Sequence, residues 1–401
     1  MGGAGGRAGY ACRMDVTVRP GRIRGRIRLP GSKSIAQRAL ILATRHGGAV
    51  RHVPGSEDVE GLCRGLRALG FRVDEAGSER RISGSFSTQP ARLDCGDSAT
   101  AARCLLAFSA LRDAETVVDG SARLRERPVA PLCDALRALG ASVKGDAFPV
   151  TVRGPLRAGT VKLSTEISSQ FATALILIVE RVKGLRVNVV GRRSFSYVGL
   201  TAYVMRNFGD PYDVEPDFSS AAALAVAAAT SRGDLFLEDL SISSPQPDAR
   251  IVPYLNKAGA RVTAEEGGIR VRGGGGLRGI RANVSNCPDL APVLGAMGAL
   301  AEGETVVTGA PHLAFKESDR IESTVGLIRA LGGEAEPLED GFRVRGGRRL
   351  RGGTVSSAGD HRIAMAAGVL ALSVPGVTVT GAEAVRKSYP AYFDDLASLT
   401  E

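Results

Sequence analysis

Tryptophan is absent from this 401-residue chain, and aromatic residues make up only 5% of it. Few flat side chains are therefore available for stacking on bases. No block of like charge runs longer than a few residues, so the net charge of +10 is dispersed along the chain. A nucleic-acid reader would gather its cations into a stripe with interleaved aromatics. No apolar run is long enough, without interruption, to cross a membrane. Residues 1–13 are glycine-rich, lack the apolar core of a signal peptide, and read as a disordered tail. The six cysteines (Cys12, Cys63, Cys95, Cys104, Cys133 and Cys287) show no metal-ligand spacing, and the four histidines do not cluster with them. They read as buried free thiols of a reducing compartment, with no metal site. The chain is expected to be cytoplasmic and monomeric, with no membrane or nucleic-acid partner.

What is present is alanine, valine, leucine and 51 glycines, arranged in a pattern that returns about every 70 residues. Each turn of the pattern opens with an Ala-rich apolar helix that starts at Ser or Asp, which is sound N-cap chemistry. The spans are 34–44, 98–111, 168–182, 219–230, 289–301 and 360–372. A β-rich segment follows, such as Thr116-Val117-Val118 or Thr305-Val306-Val307. Then comes an amphipathic helix that often ends in Leu-Gly (61–70, 131–140, 201–209, 251–259, 323–332), and usually two short strands. The sixth such helix, 392–399, runs out at the C-terminus. Helices apolar nearly all round are buried ones. The pattern predicts an α/β (α+β) protein of two domains, each of three βαβαββ units around buried parallel helices, an inside-out α/β barrel. Spacing shortens near 209–217, which places a passage between domains there. One domain takes 14–31 plus 215–401 and the other 32–214. Gly274-x-Gly276-x-x-Gly279 is followed by no helix pattern and reads as a turn, not a dinucleotide fingerprint.

The helix starts carry the chemistry. The stretch Pro30-Gly31-Ser32-Lys33-Ser34, with Arg38 one turn on, places cations where the helix dipole is already positive. An anionic ligand would supply the missing negative charge. The same kind of end recurs at Asp97-Ser98-Ala99-Thr100 with Arg103, at Ser168-Ser169-Gln170, at Asp217 with Ser219-Ser220, at Asp289, and at Asp360-His361-Arg362. Loops rich in cations lie between them: 123–128, 316–320 and 386–387. Parallel buried helices would aim these ends into one cleft between the domains.

Seven motifs, in order, resemble the 5-enolpyruvylshikimate-3-phosphate synthase (3-phosphoshikimate 1-carboxyvinyltransferase) family. They are Pro30–Ser34 with Arg38, Arg127 within Arg-Leu-Arg-Glu-Arg-Pro, Ser168-Ser169-Gln170, Pro288-Asp289, Lys316–Arg320, Asp360–Met365 and Arg386–Pro390. The resemblance implies transfer of the enolpyruvyl group of phosphoenolpyruvate to the 5-hydroxyl of shikimate 3-phosphate, without metal or organic cofactor. It implies that shikimate 3-phosphate is held by Lys33, Ser34, Arg38, Ser168, Ser169, Gln170, Ser194, Tyr197, Asp289, His312 and Lys316. Phosphoenolpyruvate would meet Lys33, Ala99, Arg127, Gln170, Arg320, Arg362 and Lys387, and Arg103 adds a further cation. Asp289 would be the base, and Glu317 with Lys33 the acid pair. Three positions depart from the family pattern: Asp97 stands for Asn, Ala99 for Gly and His312 for Asn. The extra methyl of Ala99 implies reduced sensitivity to glyphosate. The related UDP-N-acetylglucosamine enolpyruvyl transferase would place Asn after the lysine and a catalytic cysteine in a mobile loop. Here Ser34 follows Lys33, and Cys95 and Cys287 precede helix starts. An RNA-end-processing or RNA-binding protein on a similar repeat fold would require strongly salt-dependent RNA binding.

Overall fold

A computed structural model of the chain describes residues 14–401. The expected tail, 1–13, and Cys12 lie outside the described residues. The other five cysteines are buried free thiols.

Two hydrophobic cores organise the chain. One is built from Val18, Ile23 and Leu29 together with residues from Phe218 to Leu399. The other runs from Ile35 to Val214. In the first, the helices Phe218–Thr230, Ala291–Leu300 and His361–Ser373 pack on one another. Nearly every residue of each is buried, because alanine and glycine faces let helix axes approach closely on all sides. In the second, Ala99–Ser109 packs on Gln170–Ile176. Lys33–His46 joins them through Gln37, which donates to Ser98 Oγ (3.4 Å), and Arg38, whose Nη2 reaches Thr173 Oγ1 (3.5 Å).

Four sheets share one topology. In Ala91–Asp94, Thr116–Asp119, Val150–Arg153 and Ser142–Lys144, a parallel pair is followed by an antiparallel hairpin. The sheets built on Arg24–Arg28, Gly48–Arg51 and Arg281–Asn283 repeat it. The third unit of each domain is trimmed. Gly159–Ser164 and Leu185–Val190 form a two-stranded parallel sheet with no hairpin. Gly353–Ser356 and Val377–Thr380 gain only Val16–Thr17. Three complete βαβαββ units per domain are therefore not present, and the six sheets stay separate instead of closing into a barrel.

Three outer helices begin at least three residues earlier than the pattern suggested, Arg320–Ala330 among them. Glu57–Ala68 starts four residues before Gly61, because Ser56 and an acidic first turn (Glu57, Asp58, Glu60) suit a helix start. Phe195–Asn207 takes in Tyr197. The chain passes between the cores twice, and the two passages are bonded to each other. Gly31 bridges Pro216, Ser32 N–H donates to Glu215 O (2.9 Å) and Asp217 N–H to Pro30 O (3.0 Å). A Cβ at Gly31 would stand 1.9 Å from the His52 carbonyl, so only glycine fits this crossing.

Candidate active site

A cavity opens between the two cores, and five of the six buried helices send their first residues to its wall: Lys33 and Ser34, Ala99 and Thr100, Ser168 to Gln170, Asp289, and His361. The sixth start stops one layer back, where Asp217 caps its own helix by accepting from Ser220 N–H (2.8 Å). Ser98 and Asp360 are also working caps. Ser32, at the cap position of the first helix, makes no side-chain cap bond, and neither does Ser169. Asp289 sits in the short turn Pro288–Leu290 before its helix and does not cap it.

The carboxylate of Asp289 turns to cations. Its Oδ1 lies 2.8 Å from Arg320 Nη1 and 4.0 Å from Lys316 Nζ, and its Oδ2 3.5 Å from Arg362 Nη2. Burial opposes its ionisation, but Arg320, Arg362 and Lys316 outweigh burial and hold the carboxyl well below the usual carboxylate range. Glu317 behaves alike. Burial opposes its charge, yet Arg127, Arg320 and Lys387 hold it well below its ordinary value. Arg320 is the hub: its Nη2 is 2.8 Å from Glu317 Oε2 and its Nε 2.8 Å from Asp360 Oδ2. With its side chain 1% exposed, this guanidinium is spent on three carboxylates.

On the opposite wall, Asp58 Oδ2 accepts from Lys33 Nζ (2.9 Å), and its Oδ1 lies 3.2 Å from Lys387 Nζ. Lys387 also donates to the carbonyl of Asp97 (2.8 Å). Lys33 thus pairs with Asp58 and not with Glu317. Lys33 Nζ stands 3.5 Å from His361 Nε2. Burial, then Lys33 and Arg362, push His361 well below its ordinary value, so the ring is neutral. Arg38 donates to Thr201 Oγ1 (2.9 Å) and to the Ser34 carbonyl (2.6 Å). Ser194, in a left-handed conformation (φ 51°), brings its Oγ to 3.2 Å from His312 Nε2. Burial, and next Lys316, push His312 down to about 3.

Lys33, Ser34, Arg38, Ala99, Arg127, Ser168, Ser169, Gln170, Ser194, Tyr197, Asp289, His312, Lys316, Glu317 and Arg320 all lie on the cavity wall. Arg362 and Lys387 stand behind it, coupled through Asp289 and Asp58. Arg103 does not reach the cavity as a free cation. It stacks 4.9 Å above the Phe171 ring and donates to Gln170 Oε1 and the Pro128 carbonyl, both at 2.5 Å, which fixes Gln170 instead. Asp58, Thr100, Ile167 and His361 are wall residues to which sequence reasoning gave no role. The Ser-Glu-Asp helix start at 56–58 was the available signal for Asp58. Asp248 is buried, accepts from Ser219 Oγ and is pushed up by burial and by Asp289. It backs Arg362, whose Nε and Nη1 have no hydrogen-bond partner.

Comparisons with known proteins agree on one family. The model of EPSP synthase (3-phosphoshikimate 1-carboxyvinyltransferase) matches residues 18–211 and 209–396. A protein named 3-phosphoshikimate 1-carboxyvinyltransferase from Methanothermobacter thermautotrophicus is 35% identical, over 94% of this chain and 96% of its own. One of the same name from Methanopyrus kandleri is 36% identical over 94% and 96%. The solved structure of EPSP synthase from Acinetobacter baumannii superposes with a TM-score of 0.77 at 24% identity, covering 96% of this chain and 98% of that one, which shows a shared fold.

Proposed function

Because the chain belongs to the EPSP synthase (3-phosphoshikimate 1-carboxyvinyltransferase) family, we propose that its cavity moves the enolpyruvyl group of phosphoenolpyruvate onto the 5-hydroxyl of shikimate 3-phosphate and releases phosphate. The reaction serves the shikimate pathway to chorismate and the aromatic amino acids. The observation that carries the reading is the convergence of buried cations from both cores on one cavity. Lys33, Arg38 and Arg127 come from one side and Lys316 and Arg320 from the other, with Arg362 and Lys387 directly behind them. Two phosphorylated acids bring two phosphates of roughly −1.5 to −2 charges each, plus two carboxylates, to meet them.

Shikimate 3-phosphate takes the wall formed by Ser34, Arg38, Ser168, Ser169, Gln170, Ser194 and Tyr197, with Lys33, Asp289, His312 and Lys316 at its ring. Phosphoenolpyruvate takes the side of Lys33, Ala99, Arg127, Gln170, Arg320, Arg362 and Lys387. In the free enzyme Asp289 is a poor base, because three cations lean on it. When the carboxylate and phosphate of phosphoenolpyruvate draw Arg320 and Arg362 toward themselves, Asp289 regains proton affinity and takes the 5-hydroxyl proton. Glu317 carries charge in the free enzyme, so it acts as acid only after taking up a proton. The incoming phosphate, drawing Arg127 and Lys387 away, raises its affinity for one. Its proton goes to the methylene carbon as the 5-oxygen bonds to the adjacent carbon. In the collapse of the tetrahedral intermediate the new methyl returns a proton to Glu317, the C=C re-forms and the C–O bond to phosphate breaks. Asp289 gives up its proton to the departing phosphate, and Lys33 offsets its charge. Side chains suffice for these steps, and no metal or cofactor is assigned.

Among the described residues no helix is long and apolar enough to cross a membrane. We further take the enzyme to act in the cytoplasm as a monomer, on small molecules and not on nucleic acid. The deciding experiment is phosphate release with both substrates and with each omitted in turn. Release that persists without shikimate 3-phosphate would overturn the assignment.

A further inference from the structure

The two halves of the site belong to different cores, so their mutual position has to be fixed by contacts that cross between them. One such contact lies outside the cavity wall. The loop that carries Arg127 begins with the short turn Ala122–Arg125, capped by Ser121, whose Oγ accepts from Leu124 N–H. Leu124 is buried and Arg123 points the other way, its side chain 36% exposed. Arg123 reaches the opposite core. Its Nε donates to the carbonyl of Glu317 (2.9 Å) and its Nη2 to the carbonyl of Lys316 (2.5 Å), while Nη1 pairs with Glu126 of its own loop (2.7 Å).

The accepting segment explains why this matters. Lys316 and Glu317 lie between the short helix Pro311–Phe315 and the helix Arg320–Ala330, in a stretch with no ladder of its own. Among the described residues no other hydrogen bond reaches either carbonyl. The fork of one guanidinium therefore fixes two successive peptide planes. Those planes set the directions of Lys316 Nζ, 4.0 Å from Asp289, and of Glu317, 2.8 Å from Arg320. Neighbouring Arg125 is different, because it pairs with Asp119 inside its own core at 3.0 Å.

We propose that Arg123 is a positioning residue for the transfer: by gripping the Lys316 and Glu317 carbonyls from the opposite core, it sets these two side chains when the cleft is closed. The inference rests on the enzymatic reading above. The test compares Arg123→Ala, Arg123→Lys and, as control, Arg125→Ala in steady-state phosphate release, thermal melting without substrate, and small-angle scattering with and without shikimate 3-phosphate. If the parent releases no phosphate, the enzymatic reading itself fails. With an active parent, Arg123→Ala is expected to lower kcat/KM about tenfold to a hundredfold, through higher KM for both substrates, as loss of charge-assisted bonds would. Arg123→Lys, with charge but no fork, should fall between, Arg125→Ala should match the parent, and Arg123→Ala should contract less than the parent on ligand. Parent-like kcat/KM and contraction in Arg123→Ala would overturn the proposal. So would a fall in its substrate-free melting temperature that Arg123→Lys restores without restoring kcat/KM.

Discussion

The carboxylate of Asp58 meets Lys33 Nζ at 2.9 Å and, through its other oxygen, holds Lys387 Nζ of the opposite core at 3.2 Å. Burial opposes its charge, but the two ammonium groups win and lower its proton affinity. Asp58 is thus the shared counter-ion of two cations that the proposed reading assigns to phosphoenolpyruvate. Asp58→Ala leaves these buried ammonium groups facing each other, which should cost about 3–5 kcal/mol. An anion can take the vacated place, so phosphoenolpyruvate should raise the melting temperature more in the variant than in the parent. Equal ligand-induced shifts would contradict this role.

Asp289→Asn keeps shape and removes the proposed base. Turnover should fall about 10²–10⁴-fold, the range for loss of a general base. Binding of shikimate 3-phosphate should change much less, because Arg38 and the serines remain. Single-turnover phosphate release and equilibrium binding separate the two effects, and near-parent turnover would remove Asp289 from the mechanism.

His312 gives a pH signature. Folded, it is pushed down to about 3, while unfolded it titrates near 6.5. Between those values the unfolded chain binds more protons, so stability present above the unfolded value is lost as pH falls through this window. His361, displaced the same way, adds to the slope. Unfolding free energy should therefore drop from about pH 7 to about pH 5, with a shallower slope in His312→Asn. Denaturant titrations check it, and an unchanged slope in the variant would rule His312 out.

Ala99 is 2% exposed and lies on the wall that phosphoenolpyruvate is proposed to occupy. On that reading its methyl would take space from a bulkier analogue more than from the substrate. Ala99→Gly should therefore lower the inhibition constant for glyphosate while changing KM for phosphoenolpyruvate less. Parallel changes in both constants would argue against a steric gate at this position.

Much of this arrangement could be read from residue order, and the misses share a cause. Buried helices such as Phe218–Thr230 are legible because they are apolar on every side and capped by aspartate. Cations at helix starts are legible because they oppose the dipole. The missing hairpins of the third units were harder to see, since short alternating strands look like any polar loop until a partner strand is present. Asp58 escaped because acidic residues favour a helix's first turn whether or not they do anything else. Arg103 shows the opposite error: its helix-start position suggested a ligand cation, but Phe171 and Gln170 consume it. Partnership across 60 or more residues is a property of packing, which spacing along the chain does not encode.

The crossing at Gly31 and Pro216 has a mechanical corollary. One tether would let the halves swivel freely about its axis, whereas two strands zipped side by side resist torsion and yield chiefly to flexing. Any opening between the cores would thereby favour a jaw-like path, along which Lys33 and Asp289 would separate and rejoin in the same alignment. Severing the bond between the strands would leave each half intact and cost the enzyme its repeatability.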